Sequence, residues 1–135
     1  MTATARKGLK SNTLEAVVTA VLAVQNYSLE KAWGLLSALR DAGLLEPDAV
    51  AALSVERLAA RLAKAGYDRG RLTEMMAGRF KSLMVAVANG DLDDLDGAVR
   101  ANDSRAAQSL LQRVHGVGPQ VSRNAWLLLQ EGPAK

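Results

Sequence analysis

An all-α domain is the fold class this sequence predicts, and three observations predict it. Apolar residues recur at three- and four-residue spacing along most of the chain, no segment alternates apolar and polar residues as a strand does, and Gly, Pro, Ser and Asp interrupt the apolar runs at short intervals. With 135 residues, 49% of them hydrophobic, the chain has the size and composition of one domain that buries a core. The expected architecture is a compact bundle of short helices: a flexible basic N-terminal segment over 1–12, a single helical domain over 13–131, and a C-terminal tail over 132–135.

Each element has its own local signal. Leu14, Val17, Val18, Val21 and Leu22 form a helical stripe that runs to Gln25, with Asn12 or Thr13 as N-cap. The spacing predicts a second helix over 28–42, with Leu29, Ala32, Trp33, Leu36 and Leu39 inward and Gly43 closing it. Pro47 suits the first turn of a short third helix, and Ser54 caps a fourth that ends at Gly66. A longer helix is expected over 68–88, with Leu72, Met75, Met76, Phe80, Leu83 and Val87 in the core and Gly78 placed to weaken or bend it. The early acids of 91–100 favour the positive end of a helix dipole and predict another short helix. Asp103 or Ser104 opens the penultimate helix, and Pro119 opens the last, in which Trp126 has the spacing of a core residue.

Composition removes several function classes. The absence of cysteine excludes disulfides, thiolate-held zinc and a conventional iron–sulfur cluster, and the single histidine, His115, leaves no histidine-rich metal site. Asp91, Asp93, Asp94 and Asp96 lack the spacing and the final bidentate acid of a calcium loop. No GxxxxGK[ST] loop and no hydrolase motif is present, so neither metal nor cofactor is expected. Arg6, Lys7 and Lys10 are not followed by a signal-peptide cleavage pattern, and the apolar run over 16–24 is too short to span a bilayer. A cytoplasmic protein without membrane partners is expected, associated with the nucleoid if it binds DNA.

Charge is segregated along the chain. The net charge is only +3, but residues 54–81 hold seven basic side chains against three acids, residues 89–103 hold five acids against Arg100, and residues 104–130 carry Arg105, Arg113 and Arg123 with no acid. Such an arrangement suits a phosphate-binding face opposed by an acidic one. Taken alone, any one of these runs is more simply a solvated helix face.

Within the last basic segment lies His115-Gly116-Val117-Gly118-Pro119. Gly116 and Gly118 permit positive φ and close backbone approach, and Pro119 fits the first helical position, where its missing N–H costs nothing. The amides that follow, on Gln120 and Val121, point out of a helix N-terminus and form a small anion site with the dipole. Leu110, Leu111 and Val114 before the turn, Val117 within it and Val121 after it supply apolar contacts between the two helices. The alternative is a plain helix-to-helix turn punctuated by Gly and Pro.

From this corner outward the sequence resembles the helix-hairpin-helix DNA glycosylases of the endonuclease III superfamily, most closely the subgroup of bacterial 3-methyladenine glycosylases. The stretch from Thr13 to Asn26 is similar to the family's first barrel helix with its terminal Gln-Asn. Leu44-Leu45-Glu46-Pro47, then Leu53 to Leu58, then Ala65-Gly66-Tyr67 resemble the next segments in order, Arg71 stands where a basic residue is usual, and the hairpin completes the series. The resemblance covers roughly 13–129 and implies a helical barrel that grips duplex DNA, damaged or abasic duplex included, by one hairpin. It further implies a side chain inserted where a base is flipped out and cleavage of the N-glycosidic bond. By position Gln25 is the inserting residue, Gly116, Val117, Gly118, Gln120 and Val121 form the phosphate grip, Arg113 and Arg123 flank it, and Arg71 adds a basic contact.

Catalysis is where the pattern departs from the family. Members that also cut the strand carry a lysine two positions after the second hairpin glycine, where its amine attacks the sugar C1′. Here that position is Gln120, and an amide is not such a nucleophile. The family's aspartate has no counterpart among the residues after Gln120, where Glu131 is the one acid. The expected function is therefore DNA binding in repair or damage recognition, with an incomplete catalytic centre and no catalytic residue assigned. An active base-excision enzyme that uses an atypical acid, and a helical interaction module completed by a partner protein, are the two alternatives.

Overall fold

The computed structural model describes residues 9–24 and 27–131, and no strand occurs among them. Among the described residues nine helices follow one another: α1 (Ser11–Leu22), α2 (Leu29–Gly34), α3 (Leu36–Asp41), α4 (Pro47–Ala51), α5 (Val55–Lys64), α6 (Leu72–Ala88), α7 (Leu95–Arg100), α8 (Ser104–Gln112) and α9 (Pro119–Glu131). Two of them organise the rest. α1 packs against α2, α6 and α9, while α6 packs against α1, α4 and α5.

α1 buries more than a stripe. Between Thr13 and Leu22 every residue except Glu15 is buried, so α1 is a central helix rather than an amphipathic surface one. Its two buried hydroxyls have partners, as burial demands: Thr19 Oγ1 donates to the Glu15 carbonyl at 2.8 Å, and Thr13 Oγ1 donates to Asp96. The start of α1 corrects the expectation. Ser11 and Asn12 are helical, so the segment expected to be flexible does not extend to 12, and neither Asn12 nor Thr13 is the N-cap. Lys10 holds that position without a side-chain cap, and its N–H is taken by Asp96 Oδ2 at 2.9 Å. Asp96 thus serves the positive end of a distant helix as well as lying in the first turn of α7.

Several boundaries follow the local chemistry. Ser28, Ser54 and Asp103 accept from the N–H groups of Lys31, Arg57 and Ala106, respectively, and so cap α2, α5 and α8. The ends at Gly43 and Gly66 are closed by paired backbone bonds, Leu44 to Leu39 with Gly43 to Arg40, and Tyr67 to Leu62 with Gly66 to Ala63. Others differ from expectation. The helix expected over 28–42 is interrupted at Leu35, whose amide reaches back to Ala32 just after Gly34, a poor helix former. The helix expected from 68 begins at Leu72, because Asp68 Oδ1 accepts from the Gly70 amide and Thr73 Oγ1 from the Arg69 amide, a local turn that competes with helix. Residues 91–94 form turns before α7.

The core joins Val17, Val18, Val21 and Leu22 of α1 to Met76, Phe80, Leu83 and Met84 of α6, with Leu58, Leu62 and Tyr67 beside them. Met76 is fully buried, but Met75 faces solvent at 40% exposure, which corrects its placement in the core. Trp33 and Trp126 are half-buried against the core rather than within it. Gly78 does not break α6, which is helical throughout. Among the described residues no helix is long and apolar enough to cross a membrane.

Candidate nucleic-acid interface

α8 and α9 pack together through the connection 113–118. Val114 and Val117 are buried and anchor that connection to the core, alongside Leu111, Val121, Ala125 and Leu128, while Leu110 is half-buried. Backbone bonds from Val114 to Leu111 and from Val117 to Val114, each 3.0 Å, make the turn tight. Ser122 fixes the helices to each other. Its fully buried hydroxyl accepts from Gln112 Nε2 at 3.0 Å, and its one proton faces the Pro119 carbonyl at 3.0 Å and Gln108 Oε1 at 3.3 Å.

The two glycines of the corner do different jobs. Gly116 has φ +91°, and a Cβ built there would stand 2.8 Å from Arg79 Cγ. The aliphatic stem of Arg79, projecting from α6, therefore supports the turn from beneath. Gly118 is not in the positive-φ region, and a Cβ on it would meet nothing within 4 Å, so only Gly116 uses the conformational freedom expected of both. Gly118 instead precedes α9 and accepts the Ser122 N–H at 3.0 Å. With Pro119 as first residue, the Gln120 and Val121 amides belong to the helical start whose N–H groups have no partner within the helix.

Arg113 and His115 of the connection, and Gln120 and Arg123 in the first turns of α9, are all exposed. Arg40–Glu15 is the one ion pair among the described residues, so neither Arg113 nor Arg123 is held in an ion pair there. Gln120 donates from Nε2 to Asn124 Oδ1 at 3.1 Å, a helix-surface contact within α9. Arg71 lies apart from the corner along α6: it is exposed and precedes that helix, about two turns and roughly 12 Å along the axis from Arg79. Arg79, Lys81 and Ser122 were not singled out by sequence reasoning. Arg79 and Lys81 carried only the signal of a basic segment, and nothing local ties either to a turn more than thirty residues later.

Gln25 lies outside the described residues, but the chain on either side of it is firmly held. The fully buried Tyr67 donates its hydroxyl to the Leu22 carbonyl at 2.7 Å, and Arg69 Nη1 donates to the Val24 carbonyl and to Tyr67 Oη, both at 3.0 Å. Tyr27 meets the Tyr67 ring edge-on at 5.0 Å, and the Arg69 guanidinium sits 4.9 Å from the Tyr27 ring centre. Burial pushes the Tyr67 hydroxyl above its ordinary value of 10.0, and does the same for Tyr27, although Arg69 opposes both shifts.

A raised folded-state value means that the fold holds these protons more tightly than the unfolded chain does. Their contribution to stability is complete below the ordinary tyrosine range and is lost as pH rises through the raised values. Tyr67→Phe is expected to cost about 1–3 kcal/mol at neutral pH, because the Leu22 carbonyl and Arg69 lose a buried partner. The same change should flatten the alkaline loss of stability. Urea unfolding of both proteins at neutral and alkaline pH checks the two expectations together.

The Asp91, Asp93, Asp94 and Asp96 run does not converge: among the described residues no three His, Cys, Asp or Glu side chains are grouped to hold a metal ion. Comparison with protein-family models, curated proteins and solved structures finds no match for this chain.

Proposed function

We propose that this chain is a duplex-DNA-binding protein of the helix-hairpin-helix glycosylase type, acting in DNA repair or damage recognition, with an incomplete catalytic centre. The observation that carries the reading is the corner between α8 and α9. Its backbone is bent at Gly116 over the Arg79 stem, its Gln120 and Val121 amides lie in a proline-initiated first turn, and Arg113 and Arg123 flank it, neither in an ion pair among the described residues. A phosphate diester matches that set, since it offers acceptor oxygens to backbone amides and charge to the arginines. In this reading Val117 anchors the turn, Gln25 fills the gap beside a displaced or absent base, and Arg71 adds a peripheral phosphate contact.

The chemistry at Gln120 supports binding without lyase activity. A carboxamide cannot form a Schiff base with an abasic aldehyde. Glu131 lies about three turns further along the continuous α9, roughly 16 Å in axial distance, so its backbone position does not suit a carboxylate acting beside Gln120.

Affinity for duplex DNA is expected to fall steeply with added salt, because each neutralised phosphate releases condensed counterions. Contacts from Arg113, Arg123 and neighbouring cations predict a log–log slope of magnitude about 2 to 4. Fluorescence anisotropy with intact and abasic duplexes across a salt series checks this. Salt-independent association, or none, would remove the reading.

A further inference from the structure

We propose that the groove between α6 and the 113–115 segment seats a second backbone phosphate of the DNA, beside the one held at the start of α9. This rests on the DNA-binding reading above. The groove has a volume of about 420 Å3; Gly78, Lys81 and Ser82 of α6 line one side, and Arg113 and His115 line the other. Neither Lys81 nor Arg113 is in an ion pair among the described residues, so both keep their capacity for an outside anion. Arg113 and His115 also belong to the connection that carries Gly116 and Gly118. The groove and the α9 amides therefore share the support that the Arg79 stem gives from beneath Gly116.

Gly78 is an independent observation. It lies inside unbroken α6, it is not in the positive-φ region, and a Cβ there would meet nothing within 4 Å. Neither backbone conformation nor packing calls for glycine, which is the less favourable choice relative to alanine inside a helix. Its missing side chain does keep the groove deep beside Lys81. A phosphodiester fits such a place: compact and singly charged, it offers oxygens to an ammonium from one wall and a guanidinium from the other. Asp91 also lines the groove and opposes any anion there. It is exposed, and among the described residues no ion pair to a cation offsets its charge.

The test is a duplex titration across a salt series with the full chain and three single variants, each checked for helicity and melting temperature. Lys81→Gln should lower the magnitude of the salt slope by about one, the signature of one lost phosphate contact. Asp91→Asn should tighten binding about twofold by removing a nearby like charge. Gly78→Leu alters no charge and should melt no lower than the wild type, yet weaken binding severalfold by filling the groove. If the wild type binds duplex but Lys81→Gln keeps the full slope, or either of the other variants binds as the wild type does, the inference is overturned while the hairpin reading stands. If the wild type binds no duplex at any salt concentration, the DNA-binding reading itself fails and the inference falls with it.

Discussion

Gly116→Ala is expected to destabilise the fold by about 1–3 kcal/mol, whereas Gly118→Ala is expected to stay within about 1 kcal/mol of the wild type and still weaken duplex binding about tenfold. The difference comes from backbone and neighbour, not from residue type. At Gly116 a methyl group would force an L-residue into φ +91° and would stand 2.8 Å from Arg79 Cγ, close to the root of a side chain wedged between helix and turn. Arg79 or the turn must move. At Gly118 the backbone is ordinary and the space open, so the folded state admits alanine; in the DNA-binding reading the added methyl group narrows the open space through which a phosphate would approach the turn. Urea unfolding and anisotropy on both variants separate the two effects. A Gly118→Ala protein that is folded and binds as tightly as the wild type would mean that no phosphate comes close to the backbone there, and the corner would be a plain connection between helices.

What could be read in the sequence was what neighbouring residues decide among themselves. Ser28, Ser54 and Asp103 cap their helices with amides three residues on, Pro47 and Pro119 open theirs, and Gly43 and Gly66 close theirs, all through contacts within one or two turns. What could not be read was what the folded chain brings from elsewhere. The start of α1 is set by Asp96, which is more than eighty residues away, so Asn12 and Thr13 looked like caps only because they are capping residue types in the right place. Met75 and Met76 are chemically identical neighbours on one helix, and the packing of α6 alone decides that Met76 is buried and Met75 is not. The candidate site divides in the same way. Its backbone corner was legible as a tight connection between two helices. Which glycine carries the bend was not, because Arg79 makes that choice from a different helix. Ser122 gave no signal either: a serine in a first helical turn reads as an ordinary polar residue until Gln108 and Gln112 of α8 close on it.

Base release from alkylated duplex by the wild-type chain is expected to stay at background, and borohydride should trap no covalent adduct with abasic DNA. Both expectations come from the chemistry at one position. Gln120 is exposed and hydrogen-bonded to Asn124, so its side chain is an amide on a helix surface with no amine to attack C1′ and no acid among its hydrogen-bond partners to support an attacking water. Gln120→Lys supplies the amine alone. The change is at an exposed site near the start of α9, so the fold should tolerate it, and the new ammonium should if anything strengthen phosphate binding. Lysine can then condense with the aldehyde of a pre-formed abasic site, expelling water to form the Schiff base; a C2′ proton passes to solvent as the 3′ phosphate leaves, and water reverses the Schiff base. It is not expected to expel a base, because departure of the base builds positive charge on the sugar and the substitution adds no carboxylate to answer that charge. The mutant should therefore give a weak borohydride-trapped adduct and slight strand cleavage on abasic duplex, with base release from alkylated duplex unchanged. Released base and cut strand, quantified separately for wild type and mutant, distinguish the outcomes. Robust base release by the wild type would mean that an acid elsewhere in this chain reaches the sugar, and Gln120 would then sit beside a working active site instead of marking an incomplete one.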